Sequence, residues 1–272
     1  MREIEKTFSR LRATDEGGLI TYITAGYPEP EQTPVIADAL IRGGADIIEL
    51  GIPFSDPIAD GPTIQKASTT ALRAGTTPRK VLKIAEEIKQ RHRTPIVLLT
   101  YYNPIYRMGV RKFFQEAQAS GVSGTIVPDL PVEEAEEYKN AAEEHDIDTI
   151  FLAAPSTPAE RLKKILEKAS GFLYLVSVYG VTGARETLQK HTLELLKKTL
   201  RITMGKIPLA LGFGISKPEH VKTVIKNGAD AAIVGSRIIE IVENQNNQTT
   251  AVKTLETYTK QLKKATKPTN NK

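Results

Sequence analysis

The chain of 272 residues contains no cysteine, which excludes disulfide bonds, thiolate nucleophiles and thiolate metal sites. It also lacks any apolar run long enough to span a membrane, and its charged N-terminal segment, MREIEKTFSRLRATDEGG, is unlike a signal peptide. The net charge of +5 is small, and the basic residues do not form the clustered stripe that nucleic acids select. We therefore expect a cytoplasmic protein with neither a nucleic-acid partner nor a membrane partner.

Short apolar runs, many of them rich in β-branched residues, recur along the chain, and helical patterns follow them. There are eight: GLITYITAG, ADIIELGIP, TPIVLLTYYNP, GTIVPDLP, DTIFLAAPSTP, GFLYLVSVYG, IPLALGFGIS and AAIVGSRI. Near-continuous apolar strands that alternate with helices are typical of a parallel sheet covered by helices. Eight such units without a break in composition predict an α/β fold, a (β/α)8 TIM barrel, as a single domain over residues 1–265.

The helical patterns between these runs often begin after proline and end at glycine, as helix ends prefer. The interval from the second run to the third is about twice the others, so we expect an extra helix over GPTIQKASTTALRAG. We also expect an N-terminal helix before the first strand and a disordered tail over residues 266–272. An open doubly wound sheet is the alternative fold, but no G-x-G-x-x-G motif follows the first strand to support it.

A carboxylate interrupts the second apolar run, IIELGIPFSDPIADGP, at Glu49. Because side chains alternate along a strand, Glu49 would share a face with Ile47 and Gly51 and point into the barrel mouth. A buried carboxylate without a cation has a raised pKa and can act as both acid and base. A structural ion pair is the alternative, but the apolar runs offer no cation at that depth. Asp56 and Asp60 both fit turn-forming roles, and their pattern leaves open which of them faces the pocket.

Glycines and small hydroxyl side chains follow the last three runs, in YGVTGAR, GFGISKP and VGSRII. A backbone can approach an anion closely there and helix N-termini can offer N–H groups, so we predict a phosphate site. Turn formation by the glycines and helix capping by Ser236 are the alternatives. Side chains near the strand ends predict a flat apolar ligand beside the phosphate; they are Tyr22, Leu99, Tyr101, Tyr174, Val176 and Phe213.

Six motifs carry a specific resemblance: TAGYP, ELGIPFSDPIADGPTIQ, TYYNP, VPDLPVEE, GVTGAR and GFGIS, in that order. Together they closely resemble the tryptophan synthase alpha chain family, over roughly Glu3 to Glu243. The resemblance implies a lyase that cleaves indole-3-glycerol phosphate to indole and glyceraldehyde 3-phosphate. It also implies a β chain partner, in an α2β2 heterotetramer, that uses pyridoxal phosphate to consume the indole in tryptophan biosynthesis. The chain described here would itself need no cofactor and no metal.

The resemblance also implies roles for individual residues. Glu49 matches the essential acid and base of the family and Asp60 its second catalytic carboxylate, which decides the choice left open above. The phosphate-binding and pocket-lining positions match Thr182, Gly183, Gly212, Phe213, Gly214, Gly235 and Ser236. The indole-facing positions match Tyr22, Leu99, Tyr101, Ile126, Leu152 and Tyr174. Contacts with the partner are expected at Pro53 and Asp56. Val178 and Tyr179 stand where bacterial-looking members of the family tend to have an arginine and a small residue.

Two other functions fit parts of the pattern. A sugar-phosphate isomerase or epimerase would share the glycines, but it would usually need a lysine, a histidine or a metal near the strand ends. A non-catalytic regulatory subunit could lose Glu49 and Asp60, whereas both are present here. Carboxylates suffice for the lyase reaction: Glu49 would protonate indole C3 and take the hydroxyl proton, and Asp60 would bind the N1–H group.

Overall fold

The computed structural model describes residues 1–176, 190–212, 214–245 and 247–267. This part of the chain contains nine strands: β1 (Gly18–Thr24), β2 (Ile47–Gly51), β3 (Ile96–Leu99), β4 (Gly124–Ile126), β5 (Asp148–Ile150), β6 (Leu152–Ala153), β7 (Leu173–Val176), β8 (Leu209–Gly212) and β9 (Ala231–Val234). All neighbouring pairs are parallel, in the order β5-β4-β3-β2-β1-β9-β8-β7-β6.

The two strands at the ends of that order, β5 and β6, are consecutive in the chain. Only Phe151 separates them, and its carbonyl oxygen accepts a hydrogen bond from the Tyr174 N–H at 3.0 Å. The sheet therefore closes on itself, and the fifth predicted run is one strand interrupted at Phe151. The predicted (β/α)8 barrel is confirmed.

Helices cover the outside of the barrel. Those described are α1 (Glu3–Ala13), α2 (Gln32–Arg42), α3 (Pro62–Arg73), α4 (Pro78–Arg91), α5 (Tyr102–Met108), α6 (Val110–Ala119), α7 (Glu136–Glu144), α8 (Ala159–Lys168), α9 (Lys190–Thr203), α10 (Pro218–Lys226), α11 (Ser236–Glu243) and α12 (Gln248–Ala265), with a 3-10 turn at Val132–Glu134. The N-terminal helix α1 and the extra helix α3 after the second strand agree with the sequence prediction. Among the described helices, none combines the length and hydrophobicity that crossing a bilayer requires.

The strand register decides which side chains face the barrel interior. Ile47 and Val97 belong to a cluster inside the barrel, whereas Ile48 and Leu50 pack outward in the larger core beneath the helices. Glu49 lies between these outward residues and opposite Val97 in the register. It therefore faces inward, as the alternation of side chains along a strand predicts.

Helix α1 packs against the amino-terminal end of the barrel and fills it. Its residues Ile4, Phe8 and Leu11 are buried in the interior cluster. Three arginines tie this segment to aspartates at the starts of strands: Arg2 to Asp148 at 2.9 Å, Arg10 to Asp46 at 2.9 Å and Arg12 to Asp230 at 3.3 Å. Because this end is filled, a ligand reaches the interior from the carboxyl-terminal end.

The third predicted run, TPIVLLTYYNP, is shorter as a strand than its apolar pattern suggests. The strand ends at Leu99, and helix α5 begins at Tyr102, which the sequence prediction did not include. The Tyr102 N–H donates to both carboxylate oxygens of Asp129, at 2.9 and 3.2 Å. This acceptor lies 27 residues away in the chain, so the start of the helix depends on a tertiary contact.

The C-terminal boundary also differs slightly from the prediction at residue 265. Helix α12 does end at Ala265, but Thr266 is only 1% exposed and its carbonyl oxygen accepts a hydrogen bond from the Gly17 N–H at 2.9 Å. Lys267 pairs with Glu16 at 3.0 Å. Contacts with the barrel therefore extend to residue 267, and residues 268–272 lie outside the described part.

Candidate active site

A cavity of about 610 Å³ opens at the carboxyl-terminal end of the barrel. Strands β1, β2, β3, β7 and β9 contribute to its wall, together with the segments that follow β2, β8 and β9. Eight residues predicted from the sequence meet on this wall: Glu49, Asp60, Tyr22, Leu99, Tyr174, Gly214, Gly235 and Ser236. The fold thus brings residues from distant parts of the chain to one enclosed space.

Glu49 lies at the bottom of this cavity. Glu49 is only 1% exposed, and its Oε2 atom has no hydrogen-bond partner among the described residues. Burial, with a smaller repulsion from Asp60, raises the pKa of Glu49 from its usual 4.5 to about 8. At neutral pH the Glu49 carboxyl group is therefore protonated in most molecules, and it can donate a proton.

Asp60 reaches the cavity from the loop between β2 and α3. Tyr101 holds this loop from below: its Oη accepts a hydrogen bond from the Ala59 N–H at 3.0 Å and donates to the Asp60 carboxylate. Phe54, in the same loop, stacks on the Tyr101 ring with the ring centroids 5.2 Å apart. Burial raises the pKa of Asp60 to about 6, although the Tyr101 hydrogen bond opposes the rise. Asp60 is therefore mostly ionised at pH 7.

The predicted phosphate end of the cavity lies where β8 and β9 lead into helices. Gly214 has φ of 71°, a left-handed conformation that favours glycine. Gly235 and Ser236 lie at the start of α11, whose first N–H groups have no acceptor within the helix. The Tyr258 hydroxyl donates to the Ser216 carbonyl oxygen at 2.7 Å and fixes the segment before α10. N–H groups without an acceptor in the helix and hydroxyl groups are donors that an anion requires, and glycine lets the anion approach the backbone closely.

Two positively charged side chains on the same wall were not predicted from the sequence. Lys217 and Arg237 both line the cavity and both are exposed. Arg237 also pairs with Glu240, another wall residue, at 3.0 Å. The signal was present in GFGISKP and VGSRII, where only the glycines and hydroxyls were considered. Ile64 of α3 was missed as well, although it lies within the motif ELGIPFSDPIADGPTIQ.

Three further residues predicted to face the indole, Tyr101, Ile126 and Leu152, are not on the lining of this cavity, and their contact with the ring stays a prediction. Tyr101 lies beneath the Asp60 loop, as described above. Ile126 is fully buried in the interior cluster, and Leu152 packs against that cluster. Of the residues predicted to face the indole, Tyr22, Leu99 and Tyr174 line the cavity. Ile126 is the register partner of Leu99, and Leu152 is that of Tyr174, so each lies beside a residue of the cavity wall.

Gly212 has a packing role. A Cβ atom placed on it would lie 2.3 Å from the Tyr174 hydroxyl oxygen, so only glycine lets that ring lie flat across β8. The other predicted phosphate and pocket residues, Thr182, Gly183 and Phe213, lie outside the described residues. The same holds for Val178 and Tyr179.

The two predicted partner contacts differ in exposure. Asp56 is exposed on the loop after β2, and the Ser55 hydroxyl donates to its carboxylate. Pro53 is buried within this chain, and its contact with a partner stays a prediction. Ile58, which was not predicted, is 82% exposed on the same loop.

The described residues contain no group of three or more histidine, aspartate or glutamate side chains arranged to hold a metal ion. The cavity wall offers the carboxyl groups of Glu49 and Asp60 and the hydroxyl groups of Tyr22 and Tyr174 for chemistry. One carboxyl group is protonated and the other ionised at pH 7, which is the arrangement that separates an acid from a base in one site.

Known proteins are similar to this chain over nearly its whole length. A family model described as tryptophan synthase alpha chain matches residues 8–267. The tryptophan synthase alpha chain of Methanosarcina barkeri is 48% identical over 266 residues, covering 98% of each chain, and that of Pyrococcus furiosus is 50% identical over 235 residues, covering 86% of this chain and 94% of that one.

Solved structures show the same relationship. Tryptophan synthase subunit alpha from Legionella pneumophila superposes with a TM-score of 0.87 at 36% identity, covering 97% of this chain and 98% of that one. A chain of the tryptophan synthase α2β2 complex from Pyrococcus furiosus superposes with a TM-score of 0.85 at 48% identity, covering 91% and 98%. The chain described here therefore belongs to the tryptophan synthase alpha chain family.

Proposed function

We propose that this chain cleaves indole-3-glycerol phosphate to indole and glyceraldehyde 3-phosphate, with Glu49 as the group that transfers protons and Asp60 as the carboxylate that binds the indole N1–H group. As a tryptophan synthase alpha chain it is a carbon–carbon lyase of tryptophan biosynthesis. The observation that carries the two roles is the pair of carboxyl groups in one cavity, with pKa values of about 8 and about 6. A carboxyl group with a pKa near 8 can donate a proton at neutral pH and then take one back, and one with a pKa near 6 is ionised and can accept a hydrogen bond.

The reaction breaks the bond between indole C3 and the glycerol carbon that carries a hydroxyl group. The Glu49 carboxyl group donates its proton to C3, and positive charge develops on the indole ring. The Asp60 carboxylate accepts a hydrogen bond from N1–H and stabilises that charge. The Glu49 carboxylate then removes the hydroxyl proton as the carbon becomes an aldehyde. Glu49 ends the cycle protonated, so the proton transfers balance without a cofactor.

The cavity has complementary ends for the two parts of this substrate. The phosphate would lie at the starts of α10 and α11, near Gly214, Gly235 and Ser236, with charge supplied by Lys217 and Arg237. We retain Thr182, Gly183 and Phe213 as proposed contacts of the same group. The indole ring would lie against the side chains of the opposite wall, Tyr22, Leu99 and Tyr174. The carboxyl groups lie between these ends.

A β chain is the proposed partner, in an α2β2 heterotetramer. The structural neighbour from Pyrococcus furiosus is part of such a complex, and loop 53–60 of this chain exposes both Asp56 and the apolar side chain of Ile58. The same loop carries Asp60, so a protein bound there can change the active site. The β chain would hold pyridoxal phosphate and consume the indole. We place the complex in the cytoplasm, since a chain without cysteine fits a reducing compartment.

Product analysis tests the proposed reaction. The purified chain is incubated with indole-3-glycerol phosphate, and indole and glyceraldehyde 3-phosphate are measured separately. We expect equal amounts of the two products. Consumption of a sugar phosphate by isomerisation without indole release, or no turnover in the presence of a bound β chain, would contradict the proposal.

A further inference from the structure

Tyr22 lies beside Glu49 on the neighbouring strand. The two residues are partners in the β1–β2 register, both line the cavity, and Tyr22 is only 4% exposed. Its ring leans toward the barrel mouth, into the layer formed by the next inward-facing pair, Thr24 and Gly51. The Tyr22 Oη atom is 3.1 Å from Thr24 Oγ1, and a Cβ atom placed on Gly51 would lie 2.3 Å from it.

This geometry places the hydroxyl on the mouth side of Glu49. Two residues of strand advance about 6–7 Å, and in that direction lies the loop that carries Asp60. The negative charges of Asp60 and Glu49 both add to burial in raising the pKa of Tyr22, so the hydroxyl is within electrostatic reach of both carboxyl groups. A phenol with a raised pKa stays neutral and keeps its proton at physiological pH.

Thr24 can orient that proton. A threonine hydroxyl both donates and accepts, so Thr24 can donate to the Tyr22 oxygen and leave the Tyr22 proton directed into the cavity. Gly51 allows this arrangement, because any side chain there would displace the ring. The position of the Tyr22 hydroxyl therefore depends on Thr24, which anchors it, and on Gly51, which leaves room for it.

We propose that the Tyr22 hydroxyl is a third catalytic group, which donates a hydrogen bond to the glycerol oxygen whose proton Glu49 removes. The inference rests on the proposed function and deepens it, because the family resemblance gives Tyr22 only an indole-facing role. As the glycerol O–H bond breaks, negative charge develops on that oxygen, and a fixed donor lowers the barrier. The oxygen becomes the aldehyde oxygen of glyceraldehyde 3-phosphate, and Tyr22 keeps its own proton throughout.

The test removes only the hydroxyl, with Tyr22→Phe. We expect kcat for indole release to fall about 10-fold, the loss typical of one neutral hydrogen bond. Tyr138→Phe is the matched control, since Tyr138 is a buried tyrosine whose hydroxyl is 2.6 Å from Thr125 Oγ1 and lies away from the cavity. It should leave kcat unchanged. Thr24→Val keeps the Tyr22 hydroxyl but removes its anchor, and we expect a smaller fall in kcat.

A binding comparison separates catalysis from packing. In a Glu49→Gln background, which prevents turnover, calorimetry measures the Kd of indole-3-glycerol phosphate and of 3-(indol-3-yl)propyl phosphate, which lacks the glycerol hydroxyls. Adding Tyr22→Phe should weaken binding of the first ligand several-fold and leave the second unchanged. Equal weakening of both ligands, or a Tyr22→Phe kcat within twofold of the parent, would overturn the inference. Absence of indole release by the unmodified chain would instead refute the proposed function.

Discussion

The carboxyl group of Glu49 should make this protein less stable as the pH rises, and Glu49→Gln should remove that effect. In the unfolded chain the group ionises near pH 4.5, and in the folded chain near pH 8. Between these values the folded state binds a proton that the unfolded state has released. Stability is therefore fully present below about pH 4.5 and is lost as the pH rises toward about 8.

The size of the effect follows from the interval between the two pKa values. At pH 7 the medium lies about 2.5 pH units above the usual pKa, and each unit is worth about 1.4 kcal/mol. The cost is then about 3 kcal/mol. It needs no reduction for solvent screening, because Glu49 is 1% exposed. Total stabilities of 5–15 kcal/mol are usual, so a gain of this size is readily measured.

Urea unfolding at pH 5, 6, 7 and 8 provides the assay, followed by circular dichroism because the chain has no tryptophan. We expect Glu49→Gln to be more stable than the parent at pH 7, and the difference to grow by about 1.4 kcal/mol for each pH unit in this range. Glu86→Gln, on the exposed face of α4, is the control and should show no such growth. Parallel stability curves for the parent and Glu49→Gln would refute the raised pKa and the reasoning built on it.

Three further predictions concern activity. The rate of indole release should fall below about pH 6, where Asp60 becomes protonated, and above about pH 8, where Glu49 ionises. A flat pH–rate profile from pH 5 to 9 would contradict this. Gly51→Ala should lower kcat, measured by steady-state kinetics, because the added methyl group displaces the Tyr22 ring. Gly61→Ala is the control and should leave kcat unchanged, since its added methyl group meets nothing within 4 Å. A β chain should raise turnover about 10-fold, equivalent to about 1.4 kcal/mol of barrier, and Asp56→Ala should weaken that activation more than the basal rate, so unchanged activation in this variant would exclude the residue.

The barrel and the two carboxyl groups could be predicted because their signals are local or periodic. Eight apolar runs separated by helical patterns specify the strands, and alternation along β2 specifies that Glu49 faces inward. The helix over TPRKVLKIAEEIKQRH likewise carries its own start signal, since the Thr77 side chain accepts from the Lys80 N–H at the beginning of α4.

What the sequence could not show depends on contacts between distant segments. Helix α5 starts where Asp129 accepts a hydrogen bond from the Tyr102 N–H, and no pattern near Tyr102 in the sequence indicates that acceptor. Lys217 and Arg237 meet at the cavity only because β8 and β9 are neighbours. The reach of Tyr22 over Gly51 depends on the register of two strands, which composition does not specify.

The central claim is that Glu49 carries a proton to indole C3 and removes one from the glycerol hydroxyl. The most direct measurement is single-turnover indole release by Glu49→Gln at pH 7, with substrate binding measured on the same sample. Glutamine preserves the shape of the side chain but cannot transfer a proton, and general acid–base catalysis is worth about 10²–10⁴-fold. We predict that substrate still binds and that the rate falls to about one-hundredth of the parent rate or less. A rate above about one-tenth of the parent value, which corresponds to a barrier change of less than about 1.4 kcal/mol, would contradict the assignment.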